Sequence, residues 1–116
     1  MSDAFDRGEL IGRVDGDLEF LAETVEMLDE ERPAMMESIH DAIAAKDADA
    51  LASAAHTYKG MVSNFCAMGA TEAATRLEAM GRSGSLDAAS ECASLLDSES
   101  DRLRRSLDEL LRELGG

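Results

Sequence analysis

The chain has 116 residues, which is enough for one hydrophobic core but not for two. Its formal charge of −14 repels phosphate backbones and anionic membrane surfaces, so neither nucleic acid nor a membrane is an expected partner. Helix-forming residues are frequent, while proline occurs once and aromatic residues make up 3% of the chain, which predicts a single all-α domain over residues 1–116, with residues 1–5 flexible.

The sequence also indicates a compartment. No apolar run reaches the roughly 20 residues of a transmembrane helix, and residues 1–6 lack the basic and apolar regions of a signal peptide. We therefore expect a cytoplasmic protein. Cys66 and Cys92 have no metal-ligand spacing, so we interpret both as reduced, small apolar core residues and expect neither a disulfide nor a metal site.

A short first helix is predicted over residues 7–14. Asp6 and Glu9 have the spacing of a capping box, and a short apolar face follows them. Gly16 is expected to end this segment, and Asp17 can cap the next helix.

The second predicted helix runs from Leu18 to Ala45. Its apolar residues recur at helical spacing, and its many acidic residues form a solvated face. Pro33 interrupts the pattern, because proline removes a backbone donor and clashes with the preceding turn. Either the helix kinks there or a second helix begins with Pro33 in its first turn. We favour one kinked, nearly continuous helix.

The third predicted helix carries His56. A polar connection over residues 46–49 precedes it, with Asp47 as the expected N-cap. The helix is expected to end near Cys66 or Ala67.

Two further helices complete the chain. A tight turn at Gly69 and Thr71 is expected to lead into a helix that stops between residues 81 and 84. Ser85 is the expected cap of a long last helix with a stripe of leucines at coiled-coil-like spacing: Leu96, Leu103, Leu107, Leu110 and Leu114.

These elements predict an antiparallel up-down four-helix bundle, with the short N-terminal helix closing one end. Short connections between long helices favour antiparallel neighbours. We interpret the leucine stripe as part of the bundle core rather than as a dimer interface, so the expected oligomeric state is a monomer.

His56 lies in an unusual segment, because between residues 50 and 70 the only full charge is Lys59. On a helical wheel at about 100° per residue, the apolar side of this helix lies opposite His56. Within about 40° of the histidine the wheel places only very short side chains: Ala52, Gly60, Ser63 and Ala67.

Gly60 points to a function for this bare face. Glycine inside a helix costs about 0.5–1 kcal/mol relative to alanine, and nothing in the predicted core requires it. The missing side chain gives a partner or a phosphoryl group clearance to approach His56. A neutral imidazole is a competent nucleophile near pH 7, and Lys59 can offset part of the charge that a phosphoryl group adds. These residues favour reversible phosphorylation of His56.

The segment from His56 to Gly60, followed by Ser63-Asn64-Phe65 and by Leu77-Glu78, resembles the signature of histidine-containing phosphotransfer (HPt) domains. The resemblance implies a four-helix bundle whose histidine accepts a phosphoryl group from a receiver-domain aspartate and returns it. His56 would be the phosphorylation site, Lys59 the phosphate neighbour and Gly60 the clearance residue.

The same resemblance implies the partners and cofactors. They would be response-regulator receiver domains, which supply Mg²⁺, and a possible sensor histidine kinase. The chain itself would have no cofactor, no ATP site and no independent kinase activity. Two positions depart from the family pattern: Met61 stands where a small residue is usual, and Cys66 stands where a glycine is usual.

Two alternative functions stay open at this point. The chain could be a substrate domain that a chemotaxis-type kinase phosphorylates directly, or a non-catalytic helical adaptor in which His56 has no chemistry. His40 lacks a lysine and a glycine at the corresponding spacing, so we interpret it as a helix-boundary residue.

Overall fold

The computed structural model describes residues 4–115 and contains five α-helices within them. They are α1 (Arg7–Arg13), α2 (Leu18–Ala44), α3 (Ala48–Ser63), α4 (Met68–Ser83) and α5 (Ala89–Gly115). Residues 4–115 form no strand, which confirms the all-α prediction. Over the same range, no helix is both long and apolar enough to cross a lipid bilayer.

The four long helices close a ring around one core. α2 and α4 each pack against both α3 and α5. α1 adds Leu10 to the core, and Arg13 at its end donates a hydrogen bond to the backbone oxygen of Ser63 at 3.3 Å. The largest fully buried side chains come from all five helices and the α3–α4 turn: Leu10, Leu21, Leu28, Ile39, Leu51, Tyr58, Phe65, Leu77, Leu96, Leu103, Leu107 and Leu110.

Each of the first three helices begins at an aspartate cap, as predicted. The carboxylates of Asp6, Asp17 and Asp47 accept hydrogen bonds of 2.9–3.0 Å from the backbone N–H three residues further on. A cap of this kind contributes about 1 kcal/mol, because it satisfies a donor that the helix leaves unpaired.

α2 continues through Pro33 for its full 27 residues. The continuous helix is confirmed, and the alternative of a second helix starting at Pro33 is wrong. Pro33 lies on the exposed side of α2, where the backbone oxygen that loses its partner can bond to water.

The turn between α3 and α4 lies earlier than predicted. α3 ends at Ser63, not at Cys66 or Ala67, and Gly69 belongs to the first turn of α4. Cys66 makes the turn with a left-handed φ of 56°, which costs a residue with a side chain roughly 1 kcal/mol. Glycine adopts this conformation freely, which accounts for the glycine that the family pattern has at the position of Cys66.

The start of α5 also differs from the prediction. Gly84, with φ of 78°, ends α4, and α5 begins at Ala89 rather than after a cap at Ser85. The backbone N–H of Ser85 bonds to the hydroxyl of Ser83 at 3.3 Å, so Ser85 belongs to the turn. The leucine stripe is buried as far as Leu110, whereas Leu114 in the last turn is 42% exposed.

The start of the described chain is packed against the bundle. Ala4 and Phe5 are buried, and the backbone N–H of Ala4 donates to the Ser106 hydroxyl at 3.4 Å. The flexibility expected of residues 1–5 stays a prediction. Residues 1–3 lie outside the described residues.

Gly81 allows the backbones of α3 and α4 to approach each other closely. A Cβ at this position would lie 2.5 Å from the backbone nitrogen of Ala52 and 2.7 Å from the backbone oxygen of Ala48. Because no backbone atom can yield cheaply, a side chain here would push the two helices apart. The close approach brings Glu78, one turn before Gly81, against α3.

Gly81 and Gly60 should therefore respond oppositely to alanine. We expect Gly81→Ala to lower the free energy of unfolding by about 1–3 kcal/mol, because the strain exceeds the gain in helix propensity. Gly60→Ala is the matched control, since no atom lies within 4 Å of a Cβ built there. It should raise the free energy of unfolding by about 0.5–1 kcal/mol. Urea unfolding followed by circular dichroism measures both, and a Gly81→Ala protein as stable as the wild type would contradict the packing argument.

Candidate functional site

His56 projects from the middle of α3 with its side chain 63% exposed. Its Nδ1 atom lies 3.0 Å from Oε2 of Glu78 on α4. The ring is therefore anchored through one nitrogen while most of its surface faces solvent.

Glu78 is the centre of this site. Its side chain is only 7% exposed, yet it meets three nitrogen-bearing side chains. Lys59 donates to Oε1 at 2.7 Å, and Arg82 donates to Oε2, the oxygen that also contacts His56. Lys59 foremost, together with Arg82 and His56, holds the pKa of Glu78 at about 2, although burial acts in the opposite direction.

The charge on Glu78 determines the tautomer of His56. An ionised carboxylate only accepts hydrogen bonds, so the bond at 3.0 Å requires the proton of the neutral imidazole on Nδ1. Nε2 then carries a lone pair and lies on the side of the ring away from Nδ1. The arrangement presents a neutral, nucleophilic nitrogen on an exposed side chain.

Lys59 and Gly60 follow His56 on α3 within about one helical turn. Lys59 is 30% exposed, and it contacts the same carboxylate, that of Glu78, that contacts the imidazole of His56. Gly60 is exposed, and a Cβ there would meet no atom within 4 Å. Its backbone therefore leaves open space one turn from His56, and packing does not explain the glycine.

The other small residues assigned to this face have different surroundings. Ser63 is half-buried in the last turn of α3 and donates its hydroxyl to the backbone oxygen of Gly60 at 3.0 Å. Ala52 is half-buried, and its backbone lies against Gly81 of α4. Ala67 was wrongly placed beside His56: it is 2% exposed and precedes α4, because α3 ends before reaching it.

Sequence reasoning missed Glu78 and Arg82 as site residues. In the sequence only the Leu77-Glu78 pair marks Glu78, whereas in the structure it is a buried glutamate, which is rare unless the carboxylate is paired. Arg82, four residues later, has the spacing of an intrahelical ion pair. That spacing indicates an ion pair but not burial, because Glu72 and Arg76 have the same spacing and are exposed.

His40 and the cysteines lie outside this cluster. Nε2 of His40, in the last turn of α2, contacts Oδ2 of Asp97 on α5 at 3.0 Å. Cys92 is buried with its thiol near the backbone oxygen of Ala73, and Cys66 is half-buried. Within residues 4–115 no group of three His, Cys, Asp or Glu side chains is placed to hold a metal ion.

The chain matches the family model described as Hpt domain over residues 19–113. That range contains α3 and α4 in full, with His56, Lys59, Gly60 and Glu78. No curated protein and no solved structure gives a significant match to the chain.

Proposed function

Given that this chain belongs to the Hpt domain family, we propose that it is a phosphorelay intermediate in which His56 accepts and donates the phosphoryl group. The single observation that carries the assignment to His56 is its Nδ1 contact with the ionised Glu78 carboxylate. This contact orients an exposed imidazole and leaves Nε2 as the nucleophile. The proposed donor and acceptor is an aspartate of a response-regulator receiver domain.

The transfer step balances without a general base in this chain. The Nε2 lone pair attacks the phosphorus of the aspartyl phosphate, an N–P bond forms, and the P–O bond breaks to release the aspartate carboxylate. Since Nδ1 keeps its proton, the imidazole gains positive charge as the new bond forms. Glu78, with its carboxylate 3.0 Å from Nδ1, stabilises that charge. The reverse step returns the phosphoryl group and restores the neutral ring.

Lys59 is the proposed phosphate neighbour in this scheme. Its ammonium group is held by Glu78 at 2.7 Å, beside the imidazole that would carry the phosphoryl group. The flexible lysine stem can move the charge towards a phosphoryl oxygen on Nε2. An exposed ion pair of this kind contributes at most about 1 kcal/mol, so Lys59 would tune the phosphohistidine rather than create its reactivity.

The partner would supply what this chain is not expected to contain. We expect the receiver domain to bring Mg²⁺ and to dock on the face around Gly60 and Ser63, with no cofactor or ATP site in this chain. In-line phosphoryl transfer depends mainly on positioning and charge stabilisation, which this small site can provide together with a partner. A monomer in the cytoplasm, receiving its phosphoryl group ultimately from a sensor histidine kinase, fits this role.

We also infer a single domain whose long helices run antiparallel. Asp29 near the middle of α2 pairs with Arg104 of α5 at 2.6 Å, whereas the later His40 contacts the earlier Asp97. Contacts that advance along α2 thus move backwards along α5, which supports opposite directions. The contacts between α3 and α4 follow the same order: Ala52 with Gly81, and Lys59 with Glu78.

The acceptor assignment is tested by phosphoryl transfer from a phosphorylated receiver domain in Mg²⁺. We expect acid-labile, base-stable label on the wild type and none on His56→Gln, because glutamine offers no nucleophilic ring nitrogen. His40→Gln is the matched control and should be labelled like the wild type. Label persisting on His56→Gln would eliminate His56 as the acceptor. Wild-type protein labelled only by a kinase's ATP-binding module would favour a kinase substrate domain, and no label from either source would favour an adaptor.

The clearance role of Gly60 is tested in the same assay. Gly60→Leu should stay folded, since Gly60 is exposed and a Cβ there meets open space, but should slow transfer by at least about tenfold because the side chain obstructs docking beside His56. Gly60→Ala, with one added carbon, serves as the control for altered helix stability. Unchanged transfer rates for Gly60→Leu across several receivers would refute the clearance argument.

A further inference from the structure

We propose that Tyr58 is a positioning residue for His56, because its buried hydrogen bond to Ser100 fixes the rotation of α3 within the bundle. The inference rests on the proposed function, since the rotation of α3 decides whether Nδ1 of His56 meets Glu78. Tyr58 lies on the face of α3 that points into the core, away from the exposed imidazole.

The pair of hydroxyl groups is a polar contact inside an apolar core. Tyr58 is fully buried, Ser100 is 2% exposed, and their hydroxyl oxygens lie 2.6 Å apart. Burial raises the pKa of Tyr58, so the phenol keeps its proton. The contact joins two helices that are not neighbours, because α2 and α4 each pack against both α3 and α5. The tyrosine side chain thus crosses the core from α3 to α5.

Ser100 interrupts the leucine stripe of α5. Leu96 and Leu103 are seven residues apart, and Ser100 occupies the core position between them, four residues after the first leucine and three before the second. A single polar residue at a core position specifies how packed helices align at a cost in stability, because another alignment would bury the polar group without a partner. The serine therefore favours one fixed alignment of α3 with α5.

The alignment of α3 reaches His56 through the geometry of the helix. Tyr58 follows His56 by two residues, which places the two side chains about 200° apart around the axis, so a rotation of α3 moves both. At a radius of about 6 Å, a rotation of about 20° displaces a side chain by about 2 Å. Such a displacement would break the contact between Nδ1 of His56 and Oε2 of Glu78, which are 3.0 Å apart. It would also separate the two buried hydroxyl groups and leave both without a partner.

The other buried side chains of α3 restrain its rotation less. They are Leu51, Ala55 and Val62, which make only apolar contacts. Apolar packing has no preferred direction, so a small rotation exchanges one such contact for another. A hydrogen bond between hydroxyl groups, in contrast, is limited to a narrow range of distances and angles. The bond between Tyr58 and Ser100 is therefore the contact that resists rotation on the core side.

The test compares variants that remove a buried hydroxyl group with little change of shape. Tyr58→Phe leaves Ser100 without a partner, whereas Tyr58→Phe combined with Ser100→Ala removes both hydroxyl groups. Ser106→Ala is the matched control, because Ser106 is a second buried serine on α5 whose hydroxyl accepts from the backbone N–H of Ala4. All variants and their parent carry His40→Gln, so that His56 is the only histidine.

Three measurements are made on each variant: urea unfolding, the rate at which the small phosphodonor phosphoramidate labels His56, and the tautomer of His56 by proton–nitrogen NMR at pH 8. We expect Tyr58→Phe to label about fivefold more slowly, with a smaller fraction of His56 carrying its proton on Nδ1, because the imidazole is held less firmly against Glu78. The double variant should regain stability relative to Tyr58→Phe, since no buried hydroxyl is left unpaired, but should still label slowly. Ser106→Ala should lose stability and label at the parent rate.

The outcomes separate this inference from the proposed function. Equal labelling rates and tautomers for Tyr58→Phe and its parent would overturn the role of Tyr58 and leave the phosphorelay proposal intact. A labelling rate that recovers with stability in the double variant, or that falls equally in Ser106→Ala, would overturn it as well, because the effect would then be one of stability alone. A parent that takes up no label would contradict the proposed function, and the tautomer comparison would still decide whether Tyr58 positions His56.

Discussion

The buried carboxylate of Glu78 is the interaction on which the rest of the site depends. A buried charge is tolerated only when it is paired and hydrogen-bonded, and Glu78 meets this condition with Lys59, Arg82 and His56. These contacts also join α3 to α4, since Lys59 and His56 lie on one helix and Glu78 on the other. The contacts of Glu78 thus stabilise the packing of α3 on α4, orient the ring of His56 and place two positively charged side chains beside the ring.

The packing of the bundle serves this geometry. Because Gly81 has no side chain, α4 packs directly against the backbone of α3. This close packing places Glu78, one turn before Gly81, next to His56. At Gly60, by contrast, no atom lies within 4 Å of a Cβ built on the backbone. Packing explains Gly81, whereas packing does not explain Gly60. In the proposed function, Gly60 gives a partner access to His56.

Local patterns in the sequence predicted most of the fold, but they could not predict the contacts between helices. The aspartate caps were found because a cap involves residues three apart, and the helical face of His56 follows from a period of about 3.6. The end of α3 was missed because Cys66 adopts a left-handed φ that glycine would normally mark, and Ala67 was misplaced as a result. The role of Glu78 could not be predicted from spacing, because it depends on how closely α4 approaches α3.

The most direct test of the central claim is a long-range proton–nitrogen NMR spectrum of the two imidazoles at pH 8. The structure predicts opposite tautomers in one sample, because His56 contacts Glu78 through Nδ1 whereas His40 contacts Asp97 through Nε2. We expect the proton of His56 on Nδ1, leaving Nε2 as the bare nitrogen, and the proton of His40 on Nε2. A spectrum in which His56 carries its proton on Nε2 would contradict the account, because the exposed nitrogen would then lack the lone pair that phosphoryl transfer requires.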